Sequence, residues 1–176
     1  MNIPDITIDY APVAQPADRS LRRQAEHDSV MRLIRTHFGD DAVLLHDDAG
    51  APSVDGYDGH VSISHCRGMA AVATHPRLRI GIDIETERTQ LLRIRNRYLT
   101  ATEAAEFRSI RQLLWAWTAK EAVYKAAGIE GLPLTSIALD HASMTAELTG
   151  ADVEKRRFHL YSAFSDNFMT TVAVPL

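Results

Sequence analysis

Two carboxylates lie two residues apart in an apolar run that has the composition of a buried strand. The run covers residues 79–87 and reads RIGIDIETE. Side chains alternate between the two faces of a strand, so Asp83 and Glu85 point the same way and the neighbouring isoleucines point the other way. Two anions this close repel each other, and burial strengthens the repulsion. The pattern therefore predicts a cation beside them, either a bound metal ion or an arginine such as Arg79 or Arg88.

A second set of polar groups follows on a long predicted helix, residues 113–128 (LLWAWTAKEAVYKAAG). Trp117, Glu121 and Lys125 are each four residues apart and therefore share one stripe of that helix. A glutamate and a lysine at this spacing often form an ordinary solvated ion pair. The presence of Trp115 and Trp117 favours a functional stripe, because a charged pair beside large apolar groups is less often a freely solvated face.

Together, Asp83, Glu85 and Glu121 offer only oxygen ligands, and too few of them to enclose an ion. Mg²⁺ suits such a site because it prefers few carboxylates, keeps several waters and shares ligands with substrate phosphates. Zinc is disfavoured because the histidines are dispersed and Cys66 is the single cysteine. A structural role, with arginine as the partner of the carboxylates, stays open at this stage.

The elements before this strand are predicted from residues that begin or end helices and strands and from the spacing of the apolar residues. Residues 3–10 resemble an edge strand, and residues 17–38 form a helix that Asp18 or Ser20 caps and Gly39 ends. The glycine-rich residues 46–60 are predicted to be a loop. Residues 61–76 read as two short strands that turn at Arg67 and Gly68.

The elements after the strand include three helices, two of which carry end signals. Residues 91–98 and 103–110 are predicted helices, and Thr100 or Thr102 caps the second, where T-A-T-E has the capping-box pattern. Residues 111–127 form the third helix, which Gly128 closes. Strands are expected after Pro133, at residues 136–141, 144–150, 156–164 and 168–176.

Composition excludes several classes of protein. The chain has 176 residues, 45% of them hydrophobic and 24% charged, which fits one domain or two small subdomains of a globular protein. A net charge of −4 argues against nucleic-acid binding driven by overall charge. The single Cys66 excludes an internal disulfide and fits a reducing compartment. No apolar run has the length of a membrane span and the first residues lack a signal-peptide pattern, so we expect a cytoplasmic protein without a membrane partner.

Four segments in a defined order match one family. They are residues 62–66 (SISHC), 81–85 (GIDIE), 97–103 (RYLTATE) and 117–125 (WTAKEAVYK). Through these motifs the chain resembles the 4'-phosphopantetheinyl transferases, which move phosphopantetheine from coenzyme A to a serine of a carrier protein. The resemblance covers residues 47–128 well and the flanks loosely.

The resemblance implies a role for individual residues. Asp83, Glu85 and Glu121 correspond to the ligands of Mg²⁺, for which Mn²⁺ is a possible substitute. The residues that correspond to coenzyme A contacts are Arg23, Gly50, Pro52, Ser64, His65, Lys120 and Lys125. Among them, Lys120 and Lys125 match contacts to the phosphates and His65 matches the contact to the 3'-phosphate. Ala51 stands where the family's G-K-P loop has lysine.

The implied chemistry is attack of the carrier serine on the β-phosphate of coenzyme A. Such a transition state spreads charge over phosphate oxygens, so catalysis depends on positioning and on cationic groups. Lys125 is expected to stabilise or protonate the leaving oxygen. Glu121 is the first candidate to accept the serine proton, and Glu103 is the second.

The resemblance also implies an architecture. We expect two similar α+β halves related by a pseudo-twofold axis, each a small antiparallel sheet packed on helices, in a monomer. Residues 1–78 would form a trimmed N-terminal half, and residues 79–176 the half with the metal-site residues. The strand–turn–strand patterns at residues 61–74 and 161–174 resemble each other and agree with this. The acyl or peptidyl carrier, whether of fatty-acid, polyketide or nonribosomal-peptide synthesis, is not readable from the sequence.

Two alternatives remain open on sequence grounds. One is another Mg²⁺-dependent phosphotransferase or nucleotide hydrolase, although no G-x-x-x-x-G-K-[ST] loop occurs. The other is a non-catalytic member of the same fold that binds coenzyme A or a carrier protein. The intact carboxylates and Lys125 argue against the second alternative, whereas Ala51 favours it.

Overall fold

Helices and antiparallel strands both contribute to the computed structural model of the chain, which describes residues 3–150 and 154–176. The helices are α1 (Arg19–Phe38), α2 (Gln90–Ile94), α3 (Ala101–Glu106) and α4 (Ile110–Ala127). The strands are β1 (Thr7–Pro12), β2 (Leu44–His46), β3 (Pro52–Val54), β4 (His60–Cys66), β5 (Met69–His75), β6 (Gly81–Thr86), β7 (Ile137–Asp140), β8 (Thr145–Leu148), β9 (Arg157–Ser165) and β10 (Phe168–Pro175). These elements confirm the predicted α+β class. Among the described residues, no helix combines the length and the apolar character that crossing a bilayer requires.

The strands form three antiparallel sheets. One has the order β1-β5-β4, a second has the order β6-β10-β9-β8-β7, and β2 pairs with β3 alone. Strand β1 lies at an edge, as predicted. In the five-stranded sheet, Asp83 of β6 faces Thr171 of β10 across the ladder, and Glu85 faces Met169.

Strand β6 is held on both of its edges. Its inner edge forms the backbone ladder with β10. On the other edge, the backbone N–H of Ile82 donates to the hydroxyl of Ser62 at 2.9 Å, and the N–H of Ile84 donates to the hydroxyl of Ser64 at 3.2 Å. The two serines of β4 thus satisfy backbone donors that would otherwise be buried without partners. They join the three-stranded sheet to the strand that bears the carboxylates.

Helix α4 packs directly against the start of β6. A Cβ atom on Gly81 would lie 1.9 Å from the carbonyl oxygen of Ala122, so only glycine permits this approach. The helix buries Trp115, Ala119 and Val123 in the largest apolar core of the molecule. This packing brings the strand carboxylates and the polar stripe of α4 together.

The predicted helix ends agree with the structure at several positions. The carboxylate of Asp18 accepts hydrogen bonds from the N–H groups of Ser20 and Leu21, which caps α1. Helix α1 ends at Gly39 and helix α4 ends at Gly128, whose φ of 61° is left-handed. Thr100 caps α3 with the predicted capping box.

Three predicted segments were wrong in their bounds. The predicted loop at residues 46–60 contains β3, because its residues pair with β2 through three backbone positions that side-chain patterns do not mark. The predicted helix at 103–110 ends at Glu106, because Phe107 is extended with ψ of 100° and Ser109 begins the next helix. Similarly, the helix predicted at 91–98 divides into α2 and a 3-10 turn at Arg95–Arg97.

The two predicted hairpins are present. Strands β4 and β5 turn at Gly68, with φ of 99°, and strands β9 and β10 turn at Asp166 and Asn167, with φ of 51° and 68°. Positive φ at both central residues is typical of the tight turns that suit twisted hairpins. The pseudo-twofold relation of the halves and a boundary after residue 78 stay predictions.

Candidate active site

Asp83 is the most strongly held of the predicted metal-site residues. Its Oδ1 atom accepts a hydrogen bond from the Ser64 hydroxyl at 2.7 Å and from the Lys125 ammonium at 2.9 Å. The same ammonium donates to the carbonyl oxygen of Ile82 at 2.8 Å. Asp83 is only 7% exposed, so water compensates little of its charge. The ion pair with Lys125 provides most of the compensation.

Glu85 is held by a different cation. Its Oε2 atom lies 2.7 Å from an Nη atom of Arg88, and its Oε1 atom accepts the backbone N–H of Thr86 at 2.9 Å. Burial raises the pKa of Glu85, whereas the hydrogen bond from Thr86 and the charge of Arg88 lower it. The question raised by two adjacent carboxylates therefore has a structural answer: Lys125 and Arg88 each neutralise one of them.

Glu121 lies in the electrostatic field of the same groups. Its side chain is half-buried on α4, one turn before Lys125. Burial raises the pKa of Glu121, the charge of Asp83 raises it further, and the charges of Lys125 and Arg88 lower it. The structure thus brings all three predicted metal ligands into one charged neighbourhood.

The carboxylates fit a hard divalent cation by the chemistry of their donors. All three are oxygen ligands of the kind that Mg²⁺ takes. Burial and the nearby charges of Glu85 and Asp83 raise the pKa of Cys66 to about 12, so this cysteine is a thiol and not the thiolate that zinc prefers. In residues 3–150 and 154–176, however, no group of three histidine, cysteine, aspartate or glutamate side chains is drawn together closely enough to hold a metal ion. A bound ion would therefore have to compete with Lys125 and Arg88 for Asp83 and Glu85.

A cavity of 820 Å³ lies between α1, the β2–β3 hairpin, β4 and the end of α4, and none of the three carboxylates lines it. It is within the range of volumes that hold a cofactor. Five residues that the sequence assigns to coenzyme A contacts line it: Arg23, Gly50, Pro52, His65 and Lys125. Lys125 is the connection between the cavity and the carboxylates, since it lines the one and donates to Asp83.

The lining carries charges of both signs. The cationic side chains are Arg23, Arg79 and Lys125, and the anionic ones are Glu26, Asp47 and Glu130. The Nε atom of Arg79 donates to the carbonyl oxygen of Lys125 at 3.3 Å, which fixes this arginine at the C-terminal end of α4. The imidazole of His65 lies 3.8 Å from Glu26. The formal charges of these six side chains cancel, and Arg23, Arg79 and Lys125 are the groups among them that can contact an anionic part of a ligand.

The loop that leads into β3 is folded on itself at one side of the cavity. Asp47 accepts the backbone N–H of Ala51 through its side chain at 2.7 Å and the N–H of Gly50 through its carbonyl at 2.9 Å. Gly50 has φ of 81°, a conformation that glycine adopts without strain. The loop therefore places Ala51, which carries no charge, on the cavity wall.

The chain was compared with known proteins. A model of the 4'-phosphopantetheinyl transferase superfamily matches residues 79–173. The chain belongs to this superfamily. A search of curated proteins returns no match.

The superfamily match includes β6, α3 and α4 but not the elements that supply most of the cavity. It thus covers Asp83, Glu85, Glu103, Lys120, Glu121 and Lys125. The residues that it leaves out are Arg23, Gly50, Pro52, Ser64 and His65. Membership supports a transferase of the phosphopantetheinyl kind, and the assignments of individual residues stay predictions.

Two of the predicted coenzyme A contacts, Ser64 and Lys120, do not line the cavity. Ser64 is buried, and its hydroxyl is engaged by Asp83 and the N–H of Ile84. Lys120 is completely buried, and its ammonium donates to Glu103 at 2.7 Å and to the carbonyl oxygen of Leu134 at 3.1 Å. In this arrangement the Lys120 ammonium is hydrogen-bonded to protein groups and does not reach into the cavity.

Glu103 is equally occupied. Its Oε2 atom accepts from Lys120 and from the N–H and hydroxyl of Thr100, and its Oε1 atom accepts the N–H of Leu139 at 3.0 Å. The carboxylate is 5% exposed. Its geometry is that of a brace between α3, α4 and β7.

Sequence reasoning did not assign Arg79, Glu26 or Tyr124 to the cavity, where all three lie. Arg79 carried a signal, because it immediately precedes the site strand in a glycine-containing run. The other two carried none, since α1 and α4 present several alternative polar residues and only the packing selects which of them face the cavity.

Proposed function

We propose that the chain transfers 4'-phosphopantetheine from coenzyme A to a serine of an apo carrier protein and releases adenosine 3',5'-bisphosphate. The observation that carries the proposal is the position of Lys125, which lines the cavity together with Arg23 and Arg79 and also donates to Asp83 at 2.9 Å. A ligand in the cavity can thereby present a phosphate next to Asp83, Glu85 and Glu121, which we call the carboxylate group. Superfamily membership supplies the reaction class.

Binding of coenzyme A is proposed to use the cavity walls. Arg23 of α1, His65 of β4 and Arg79 before β6 offer positive or hydrogen-bonding groups from three directions. Arg groups suit phosphates because their planar fork donates two parallel hydrogen bonds. The turn at Gly50 and Pro52 leaves room for the ligand on the remaining side.

The proposed chemical step needs one proton acceptor and one cation. The serine oxygen forms a bond to the β-phosphorus, the bond from that phosphorus to the bridging oxygen breaks, and the serine proton passes to Glu121. Lys125 stabilises the negative charge that collects on the leaving phosphate. Mg²⁺ held by Asp83, Glu85 and Glu121, with Mn²⁺ as a possible substitute, would supply further charge neutralisation.

For Lys120 and Glu103 we propose a positioning role in place of direct contact with substrate. Their buried ion pair fixes α4 against α3 and thereby fixes the neighbouring Glu121. We also propose that the chain acts as a monomer, because a single chain supplies both the cavity and the carboxylates. A cytoplasmic location is proposed because the single Cys66 fits a reducing compartment.

The test is mass spectrometry of apo carrier proteins from fatty-acid, polyketide and nonribosomal-peptide synthesis after incubation with the protein, coenzyme A and Mg²⁺. We expect one carrier to gain the mass of one phosphopantetheine, and EDTA to prevent the gain. Lys125→Ala and Asp83→Ala should abolish the gain, whereas Lys155→Ala, a change at an exposed lysine, should not. Near-normal transfer by both site variants would refute the assignment of the site.

One observation favours a second candidate, a member of the fold that binds coenzyme A without transferring its arm. Ala51 lines the cavity where the resemblance expects lysine. Calorimetry would then detect binding of coenzyme A while no carrier of any class gained mass.

A further inference from the structure

Arg88 lies in the segment that follows β6 and pairs with one of the three carboxylates. It is three residues after Glu85, and the two side chains form an ion pair of 2.7 Å in which Glu85 is 12% and Arg88 39% exposed. The backbone carbonyl of Arg88 accepts the N–H of Leu91 at 3.1 Å, so the main chain is fixed by the start of α2. The guanidinium can therefore leave Glu85 by rotating its side chain alone.

Arg88 has one further contact and one donor without a partner. Its guanidinium lies 5.7 Å from the centroid of the Trp117 ring, on the same α4 stripe as Glu121. Its Nε atom is buried, and within the described part of the chain it has no hydrogen-bond partner. A buried donor without a partner costs free energy, which lowers the net stability of the pair.

The two cations beside the carboxylates are anchored unequally. Asp83, Glu85 and Glu121 carry three potential negative charges, against which the structure sets Lys125 and Arg88. Lys125 is anchored by Asp83 and by the carbonyl of Ile82, whereas Arg88 has one carboxylate partner and a ring. Of the two cations, Arg88 is the one that can be exchanged for another.

We propose that Arg88 competes with the divalent cation for Glu85, so that the affinity of the carboxylate group for metal is set by the displacement of this arginine. The proposal rests on the proposed function, because that function places a metal at Asp83, Glu85 and Glu121. On sequence grounds Arg88 is only a structural partner of the carboxylates, and the proposal adds a role in metal binding. A purely structural ion pair would have the opposite consequence, since its removal would loosen Glu85 and leave the metal affinity equal or weaker.

The experiment is calorimetric titration with Mn²⁺ alone of the wild-type protein, Arg88→Gln and the control Arg111→Gln. Arg111 suits as a control because it also pairs with a glutamate, Glu87 at 3.2 Å, and also covers an aromatic ring, that of Phe164. We expect Arg88→Gln to bind Mn²⁺ more tightly by roughly three- to tenfold, because a like charge and a competing partner are removed. Arg111→Gln should bind as the wild type does.

A second variant and a second signal protect the test against a folding defect. Arg88→Lys keeps the charge but loses the planar fork, so its Mn²⁺ affinity should lie between those of the wild type and Arg88→Gln. Mg²⁺ should change the tryptophan fluorescence of the wild type as the guanidinium leaves Trp117, and this change should be absent from Arg88→Gln. Circular dichroism melting confirms that each variant is folded.

The outcomes separate this proposal from the proposed function. If the wild type binds Mn²⁺ and Arg88→Gln binds it equally or more weakly, competition by Arg88 is refuted and the proposed transfer reaction is untouched. If neither protein binds Mn²⁺, both the competition and the metal assignment are refuted. Binding by Arg88→Gln alone would support the competition in its strongest form.

Discussion

The ammonium of Lys120 lies 2.7 Å from the carboxylate of Glu103, and the two side chains are 0% and 6% exposed. Lys120 belongs to the middle of α4 and Glu103 to the first turn of α3. Burial lowers the pKa of Lys120, whereas the hydrogen bond and the charge of Glu103 raise it. The ion pair thus connects two helices immediately beside Glu121.

Removal of one partner of this pair should cost much of the stability of the fold. Glu103→Gln leaves the buried ammonium without a counter-charge, and we expect the free energy of unfolding to fall by about 3 to 5 kcal/mol. Urea denaturation measures this change. Glu87→Gln, which breaks a partly exposed pair with Arg111, should cost less than about 1 kcal/mol. Equal losses in the two variants would contradict a structural role for the buried pair.

The double variant Lys120→Met with Glu103→Leu should be more stable than Glu103→Gln. Apolar residues of similar size often replace a buried ion pair at little cost. If the pair only positions Glu121, the double variant should also retain measurable transfer with an unchanged KM for coenzyme A. A raised KM would instead favour direct contact of Lys120 with coenzyme A, as the resemblance implies.

The Glu103 site also shows what sequence can and cannot predict. The capping box between Thr100 and Glu103 was predicted, because its two residues are three apart and their pattern is local. The partners Lys120 and Leu139 lie 17 and 36 positions away, and no local pattern announces them. The second capping box, at Ser109 and Gln112, is also a local pattern, and it indicates that α4 begins at Ile110.

The carboxylate group shows the same difference between local patterns, which sequence predicts, and distant partners, which it does not. Alternation along β6 predicted that Asp83 and Glu85 share a face, and four-residue spacing predicted the stripe with Glu121 and Lys125. Which cation meets which carboxylate depends on how α4 crosses β6, and that crossing is set by the contact of Gly81 with Ala122. Sequence patterns thus group these four side chains, and packing decides which cation meets which carboxylate.

Gly81 should tolerate no side chain. In Gly81→Ala, the new Cβ atom would lie 1.9 Å from the carbonyl oxygen of Ala122 and 2.8 Å from the nitrogen of Ala126, so α4 would have to move away from β6. We expect a loss of about 3 kcal/mol in the free energy of unfolding. Transfer activity should fall more than stability alone explains, because Lys125 and Asp83 would separate.

The matched control for this variant is Gly131→Ala. Gly131 has φ of 70° and no atom within 4 Å of its would-be Cβ, so only backbone strain is introduced. Its cost should be about 1 kcal/mol without a specific effect on activity. Comparable destabilisation by the two changes, measured in urea, would argue against a helix–strand contact that requires glycine.

Stability should decrease in mild acid because of His75. Its Nδ1 atom accepts the N–H groups of Arg77 and Leu78 at 3.0 and 2.8 Å, in the turn that leads to β6. Burial lowers the pKa of His75 from 6.5, so the folded protein favours the neutral ring. As the pH falls through 6.5, the unfolded chain takes up a proton that the folded chain does not. The contribution is therefore complete above this pH and is lost progressively below it.

His75→Asn tests this assignment, because its Oδ1 atom can accept the same N–H groups but does not titrate. We expect the free energy of unfolding of the wild type to fall more steeply than that of the variant between about pH 7.5 and pH 5.5. Chemical denaturation at the two pH values measures both slopes. Parallel slopes would show that His75 does not contribute to the pH dependence.

Glu26 should weaken the binding of an anion in the cavity. Its Oε2 atom lies 3.8 Å from Nδ1 of His65, and both residues line the cavity that we propose for coenzyme A. Glu26 therefore competes with a phosphate for His65, and its negative charge also repels the phosphate. In Glu26→Gln both effects disappear, and we expect the affinity for adenosine 3',5'-bisphosphate to rise by about threefold.

Asp28→Asn is the matched control, because Asp28 lies on the same helix but accepts from Gln24 outside the cavity. Calorimetry at low salt compares the three proteins, and an unchanged or weaker affinity in Glu26→Gln would place the phosphate away from His65.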